Sequence, residues 1–258
     1  MRVNRVREML AQGLVPVGHM VSEFPTRGMA RILEVAGADF ALVDMEHSGL
    51  SAADVADQMA WLRGTAVVPL VRVPQAEYHF IARALDAGAL GVMVPDVKDG
   101  AQARAIVAAA KYPPLGQRGL VTGGANTAYE PMDAAEYMAW ANENTLILCQ
   151  IESQEGLDHL DEIAAAPGVD VLWVGHGDMT KSLGIPGDYR HPRFIAALRQ
   201  VAEAARRHGL AAGVQPNSVE QAQEWMALGY NIISYSADAR VYGAAVAQGI
   251  AGVRRIAI

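Results

Sequence analysis

The stretch that decides the fold is "LILCQIESQEG", Leu146 to Gly156. Its first four residues, Leu146 to Cys149, are apolar without alternation, as in a strand covered on both faces. Gln150 and Glu152 follow two residues apart, so they point to the same side of that strand. A carboxylate at the edge of an apolar core is costly unless something compensates its charge. Whatever does so for Glu152 must sit at the end of this strand.

Runs of the same kind recur on either side. "VPVGHMV", "FALVDME", "AVVPLVRV" and "LGVMVPDV" precede it; "DVLWVGHG", "LAAGVQP" and "NIISYSA" follow. Between them lie segments of helical period such as "GMARILEVAGA", "YHFIARALDAGA" and "PRFIAALRQVAEAARRHG", several closed by glycine. Eight βα units in 258 residues predict one α/β domain, residues 1–258, folded as a (β/α)8 (TIM) barrel. A doubly wound sheet is the alternative, but it usually has fewer strands and a glycine-rich nucleotide loop. Neither GxGxxG nor GxxxxGK[ST] occurs. The one long interruption, residues 112–144 between strands four and five, is expected to be a functional or interface connection.

Composition narrows the function classes. The chain is 52% hydrophobic and 19% charged, with a formal net charge of −7. That balance argues against nucleic acid or an anionic membrane as partner, since both call for a basic footprint. No apolar run approaches the roughly 18 residues of a membrane span. The first residues, "MRVNRVREMLAQG", lack the apolar core of a signal peptide. The single cysteine, Cys149, lies within an apolar strand and reads as buried filler; with no possible intrachain disulfide, a cytoplasmic location is expected.

In a barrel of this kind the chemistry sits at the C-terminal ends of the strands. The polar residues falling there are His19; Asp44, Glu46 and His47; Arg72; Gln150 and Glu152; His176 and Asp178; Gln215 and Asn217; and Asp238. Glu152 and Asp178 end adjacent strands, and two facing carboxylates suit either a general acid/base pair or a hard cation. Arg72 implies an anionic substrate, which favours the cation. A rim salt bridge is the bland alternative. CxxC and HExxH spacings are absent, as is GxSxG. Of the three lysines, Lys98, Lys111 and Lys181, none is placed for Schiff-base chemistry at the barrel centre.

Six segments in chain order carry a family resemblance: "DMEH", "VRVP", "LDAGALGVMVP", "KYPPLGQRG", "QIES" and "VGHGDMTKSLG". Together they resemble the HpcH/HpaI aldolases, metal-dependent class II pyruvate aldolases on a (β/α)8 barrel. The resemblance implies Glu152 and Asp178 as ligands of a divalent cation, Mg²⁺ or Mn²⁺ with Co²⁺ as a third candidate. It implies that Gln150 serves the same centre and that Arg72 neutralises the keto or enolate oxygen. His47 corresponds to the acid/base histidine, Asp86 to the aspartate partnering it, and Asp44 to an aspartate of the same network. Backbone N–H groups of Gly177 and Asp178 correspond to those holding the substrate carboxylate. Implied further are a homo-oligomer, a hexamer by family resemblance, with the C-terminal helix at a subunit interface. The implied reaction is reversible cleavage of a 4-hydroxy-2-oxo acid to an aldehyde and pyruvate or hydroxypyruvate.

Two positions depart from the pattern. His176 stands where many members carry proline, open to readings as an acid/base group, a substrate contact or a packed loop residue. Asn126 aligns with an arginine that clamps the remote carboxylate of an acidic aldehyde, in a segment that the family takes from a neighbouring subunit. The rival readings are oxaloacetate decarboxylation, a non-catalytic metabolite-binding barrel, and a hydrolase built on His19, His47 and His176 around a transition metal.

Overall fold

The computed structural model describes residues 2–256; residues 1, 257 and 258 of the expected domain lie outside the described residues. After α1 (Arg5–Ala11), strands and helices alternate: β1 (Val17–Val21), α2 (Met29–Val35), β2 (Phe40–Asp44), α3 (Ala52–Leu62), β3 (Val68–Arg72), α4 (Tyr78–Asp86), β4 (Gly91–Val94) and α5 (Gly100–Ala110). The long connection contains a 3₁₀ turn, Ala125–Thr127, and then α6 (Ala134–Asn144). The rest is β5 (Leu146–Ile151), α7 (Gln154–Asp158), α8 (Leu160–Ala164), β6 (Val171–Val174), α9 (His176–Ser182), α10 (Pro192–Arg207), β7 (Ala211–Val214), α11 (Val219–Met226), β8 (Ile232–Ala237) and α12 (Asp238–Ile256). All eight strands pair in parallel in sequence order, and β8 closes on β1. The chain is a TIM barrel.

The period-2 alternation of each strand sorts its residues between two apolar layers. Phe40, Leu42, Val68, Leu70, Leu146, Leu148 and Trp173 fill the barrel interior. Ala41, Val43, Val71, Ile147, Cys149 and Leu172 face outward and pack under the helices. Fully burying a large apolar side chain contributes about 1.5–3 kcal/mol, so both layers matter to stability. Space inside is shared unequally. A Cβ at Gly18 would come within 2.5 Å of the Phe40 ring, and one at Gly213 within 2.0 Å of Trp173. These two glycines leave room for the rings that fill the barrel.

The N-terminal end is closed. Val6 of α1 joins the interior cluster, and Asn4 caps α1 while its amide donates to Leu90 O and Asn144 O at 2.9 and 2.8 Å. Access to the interior is therefore from the other end, where the same alternation aims Asp44, Arg72 and Gln150 inward. Parity also disposes of His19: it lies beside inward Met20, is turned outward, and its Nδ1 sits 2.6 Å from Tyr235 O.

Two parts of the chain differ from a plain reading of the sequence. The last third of the long connection is helical, because Asp133 caps α6 through Ala135 and Glu136 N–H groups and Tyr137 and Ala141 bury against Tyr112. The eighth helix, α12, does not lie down on the barrel. Beyond Asp238 it is exposed, with Tyr242, Val246, Ile250 and Val253 along one side. Among the described residues no helix is long and apolar enough to cross a membrane.

Candidate active site

Asp44 and Arg72 are register partners at the ends of β2 and β3, and both point into the barrel mouth. Arg72 donates from Nε to Asp44 Oδ1 at 2.8 Å and from Nη2 to Asp44 Oδ2 at 2.7 Å, a two-pronged pairing. Its remaining edge, Nη1, lies 2.9 Å from Glu46 Oε2, close enough for an ion pair but off the N–H direction of a hydrogen bond. Burial alone would favour the neutral guanidine. The bonds and charge of Asp44, with Glu46 and Glu152, outweigh it and hold Arg72 above its ordinary pKa.

Across the mouth, β5 supplies Gln150 and Glu152. The Gln150 amide donates to Glu152 Oε2, and the Asp96 N–H to Oε1 at 2.8 Å. Asp96 adopts a left-handed φ of 51° to present that N–H. Behind the carboxylate lies Gly175, where a Cβ would fall 1.9 Å from Glu152 Oε2. Burial pushes the Glu152 carboxyl up to about 7, against the Gln150 bond, with the charge of Glu46 adding to the rise. Glu46 is likewise raised to about 7, by burial first, against Arg72, with Asp44, Asp178 and Asp96 adding.

Gly175 leads into α9, whose first turn has no side-chain cap, so the N–H groups of Gly177 and Asp178 are left for another acceptor. The Asp178 carboxylate is half-exposed, with Lys181 Nζ at 3.3 Å. His47 stands at the rim with Nε2 3.8 Å from Glu46 Oε2 and 3.9 Å from Asp178 Oδ2. Arg72, Gln150, Glu152, His176 and Gly177 enclose a cavity of about 200 Å³, room for a small acid, which opens past His47 and Asp178 into one of about 520 Å³.

The donor set can be tested against a cation. The charge of Asp178 adds to the raised pKa of both Glu46 and Glu152, and Arg72 is the buried cation among these acids, with Lys98 and Lys181 at the rim beside Asp96 and Asp178. That is surplus negative charge around a buried carboxylate. Among the described residues no three His, Cys, Asp or Glu side chains close on one point. Two hard oxygens without imidazole or thiolate fit an ion of the Mg²⁺ or Mn²⁺ kind, which takes its other ligands from water and substrate. The residues fit such an ion, which Glu152 and Asp178 would hold.

His176 is packed among aromatic rings. Its ring meets Tyr189 edge to face at 5.1 Å and Trp225 at 5.7 Å, and burial, then Arg240 and Arg72, push its pKa down to about 4.

Two expected residues are not brought here within the chain. Asp86 ends α4, which runs from the mouth back toward the closed end, and its partner is Arg118 at 2.5 Å, not His47. Asn126 lies in the 3₁₀ turn, donating to Tyr137 Oη at 2.7 Å and to Val121 O at 2.8 Å, beside a cavity lined by Arg2, Gly88 and Leu90 at the closed end. Asp44 is in the site, but as the clamp of Arg72. Conversely, Asp96 and Gly175 belong to the site and were not singled out from the sequence, and Glu46 was placed at the mouth without a role. Glu46 could have been given one: it stands two residues beyond Asp44, as Glu152 does beyond Gln150.

The chain resembles known proteins along nearly its whole length. Residues 23–245 match the family model described as HpcH/HpaI aldolase/citrate lyase. A 2-keto-3-deoxy-L-rhamnonate aldolase of Escherichia coli (strain K12) is 33% identical over 248 residues, 96% of this chain and 92% of that protein. The crystal structure of an HpcH/HpaI aldolase from Desulfitobacterium hafniense DCB-2 superposes with a TM-score of 0.92 at 30% identity, over 96% of each chain. One from Burkholderia cenocepacia J2315, of the HpcH/HpaI aldolase/citrate lyase family, gives 0.90 at 32% identity over 97% of this chain and 99% of that one. Sequence and fold agree: the chain belongs to the HpcH/HpaI aldolase/citrate lyase family and is an aldolase, a carbon–carbon lyase.

Proposed function

We propose that this aldolase reversibly cleaves a 4-hydroxy-2-oxo acid to an aldehyde and pyruvate, or hydroxypyruvate, through the enolate of the 2-oxo acid. The observation that carries the reading is Arg72, buried, clamped by Asp44 and set opposite Glu152 in a cavity sized for a small acid. An enolate places negative charge on the C2 oxygen, and a fixed cation in a poorly solvated pocket stabilises it without reorganising. The N–H groups of Gly177 and Asp178 receive the C1 carboxylate. Glu152 and Asp178 would hold Mg²⁺ or Mn²⁺, with Co²⁺ as a third candidate; bound there, the ion would supply a Lewis acid to the 2-oxo acid. In the cleavage direction His47 takes the C4 hydroxyl proton, the C3–C4 bond breaks, and the aldehyde leaves. The electron pair of that bond becomes the enolate, and a proton returned to C3 completes the pyruvate methyl group. Oxaloacetate decarboxylation would pass through the same enolate on the same residues.

Pyruvate methyl-proton exchange in D₂O, followed by NMR, tests the reading without knowledge of the aldehyde. We expect no exchange after EDTA treatment, recovery with Mg²⁺ or Mn²⁺, and loss in Glu152→Ala. A folded, metal-loaded protein that leaves the methyl protons in place would refute the pyruvate-enolate mechanism.

The exposed apolar side of α12 supports a homo-oligomer with that helix at a subunit interface, and a hexamer is the size we propose. A mass near six chains by light scattering, lost on Tyr242→Asp, is the expected result.

A further inference from the structure

Gln215 lines the same cavity as Arg72, Gln150 and Glu152, and the reaction as described gives it no task. It stands just past the end of β7, where strand parity turns it inward with Gly213. In a closed ring of eight strands β3 and β7 are four places apart, so Gln215 faces Arg72 across the mouth.

The orientation of its amide is fixed. Nε2 donates to Ser236 O at 3.0 Å and to Met20 Sδ at 3.5 Å. A carbonyl can only accept, so the nitrogen must be the end that meets Ser236, and Oε1 is left for the cavity. Ser236 O is itself held in place. Ser236 takes a left-handed φ of 54°, and its N–H donates to Pro216 O at 2.9 Å. The ends of β7 and β8 thus lock each other and the amide between them. Among the described residues Oε1 receives no hydrogen bond.

The binding mode above says which substrate atom meets this oxygen. The C1 carboxylate goes to the N–H groups at the head of α9, after β6, and the C2 oxygen goes to Arg72 on β3. C2 is trigonal, so its third substituent, C3, points away from both, toward β7, β8 and β1. The cavity is lined on that side by Gln215 and Met20. A methyl group at C3 would cover Oε1 and give it nothing to accept from, which costs free energy. A hydroxyl at C3 would supply the missing donor.

We propose that Gln215 determines specificity for the 2-oxo acid itself: its Oε1 accepts from a hydroxyl on C3, so that a 3-hydroxy-2-oxo acid is preferred to pyruvate. The assignment rests on the enolate reading above and selects between the 2-oxo acids it allows.

The test is exchange of C3 protons in D₂O, followed by NMR above the uncatalysed rate, with Mn²⁺-loaded protein. Hydroxypyruvate, pyruvate and 3-fluoropyruvate are compared, the last having a polar substituent at C3 but no proton to donate. The wild type is expected to favour hydroxypyruvate over both in kcat/KM. Gln215→Met, of similar length but without an acceptor oxygen, should lower that preference about 10-fold, the scale of one neutral hydrogen bond. It should leave pyruvate exchange within about 3-fold of the wild type. A wild type that handles hydroxypyruvate no better than fluoropyruvate overturns the proposal without need of a variant, as does a Gln215→Met protein with undiminished preference. The two possible failures are distinct: exchange without a preference sinks this assignment alone, and absence of exchange with all three acids removes the enolate reading with it.

Discussion

Replacing Gly175 with alanine adds one methyl group where the site is tightest. The backbone there, φ −82° and ψ 87°, is open to alanine, so any effect comes from the new carbon. It would lie 1.9 Å from Glu152 Oε2 and 2.7 Å from Gln150 Nε2. Ordinary heavy-atom contact is about 3.5 Å, so the carboxylate must move by more than about 1 Å. That displacement breaks its bonds from Gln150 and from the Asp96 N–H, each a hydrogen bond to a charged group and each contributing about 1.5–3 kcal/mol. Because the carboxylate is also a proposed cation ligand, Mn²⁺ affinity should fall about 10- to 100-fold, the range found for disturbing a ligand's supporting bonds. Pyruvate exchange at saturating Mn²⁺ should fall about 100-fold, as for an ångström-scale misplacement of a reacting group. Mn²⁺ titration by electron paramagnetic resonance reads the first effect. Thermal melts in EDTA show separately what the methyl group does to the fold. An alanine variant that binds Mn²⁺ as the wild type does would refute the account of Gly175 as space reserved for Glu152.

Asp44→Asn keeps the shape of the Arg72 clamp but removes its charge; exchange should drop by about 100-fold or more, and Arg72→Lys, which cannot make the two-pronged contact, should do at least as much harm. The pH dependence of metal-free stability follows from Glu46 and Glu152, whose carboxyls are raised from 4.5 to about 7. The folded chain holds protons that the unfolded chain has already released, so their contribution is complete below about pH 4.5 and is lost as pH rises through about 7. Melting temperatures in EDTA should therefore fall over that window, while saturating Mn²⁺, which favours the ionised carboxylates, should reverse the slope; a flat profile in EDTA would show that the two carboxyls are not raised. Trp173→Ala empties the barrel interior beside Gly213 and should cost about 3–5 kcal/mol in urea unfolding. A loss under 1 kcal/mol would mean that the interior collapses around the gap.

The barrel was legible because eight short, predominantly apolar runs of four to six residues alternate with amphipathic helices. Parity alone then carried Gln150 and Glu152 to one side, and the structure has both on the mouth. The same rule applied to "VDMEH" identifies Glu46, yet Glu46 reads as one more rim acid until Arg72 is seen across from it. Asp96 acts through its backbone N–H and Gly175 through the side chain it lacks, so neither advertises itself by residue type. Helix α6 was hidden because it follows a long Gly-, Pro- and Thr-containing connection, residues 111–133, and its apolar side covers Tyr112 rather than the barrel core. Asp86 is a subtler case. Its spacing from Arg72 matches the family, but the path of α4 decides where it goes, and within one chain that is to Arg118.

The two glycine-and-ring contacts inside the barrel have a consequence for how this sequence can drift. Gly18 is filled by Phe40, and Gly213 by Trp173, each pair contributed by neighbouring strands. A first step at the glycine creates a clash, and a first step at the ring opens a hole. Either intermediate lies below the parent in stability, whereas exchanging the large and small members together preserves volume. Sequences descended from a common ancestor with this one should therefore change positions 18 and 40, and 213 and 173, as linked pairs. In a large alignment those couplings would appear as covariation between adjacent strands, a record of barrel closure written without reference to the chemistry at its mouth.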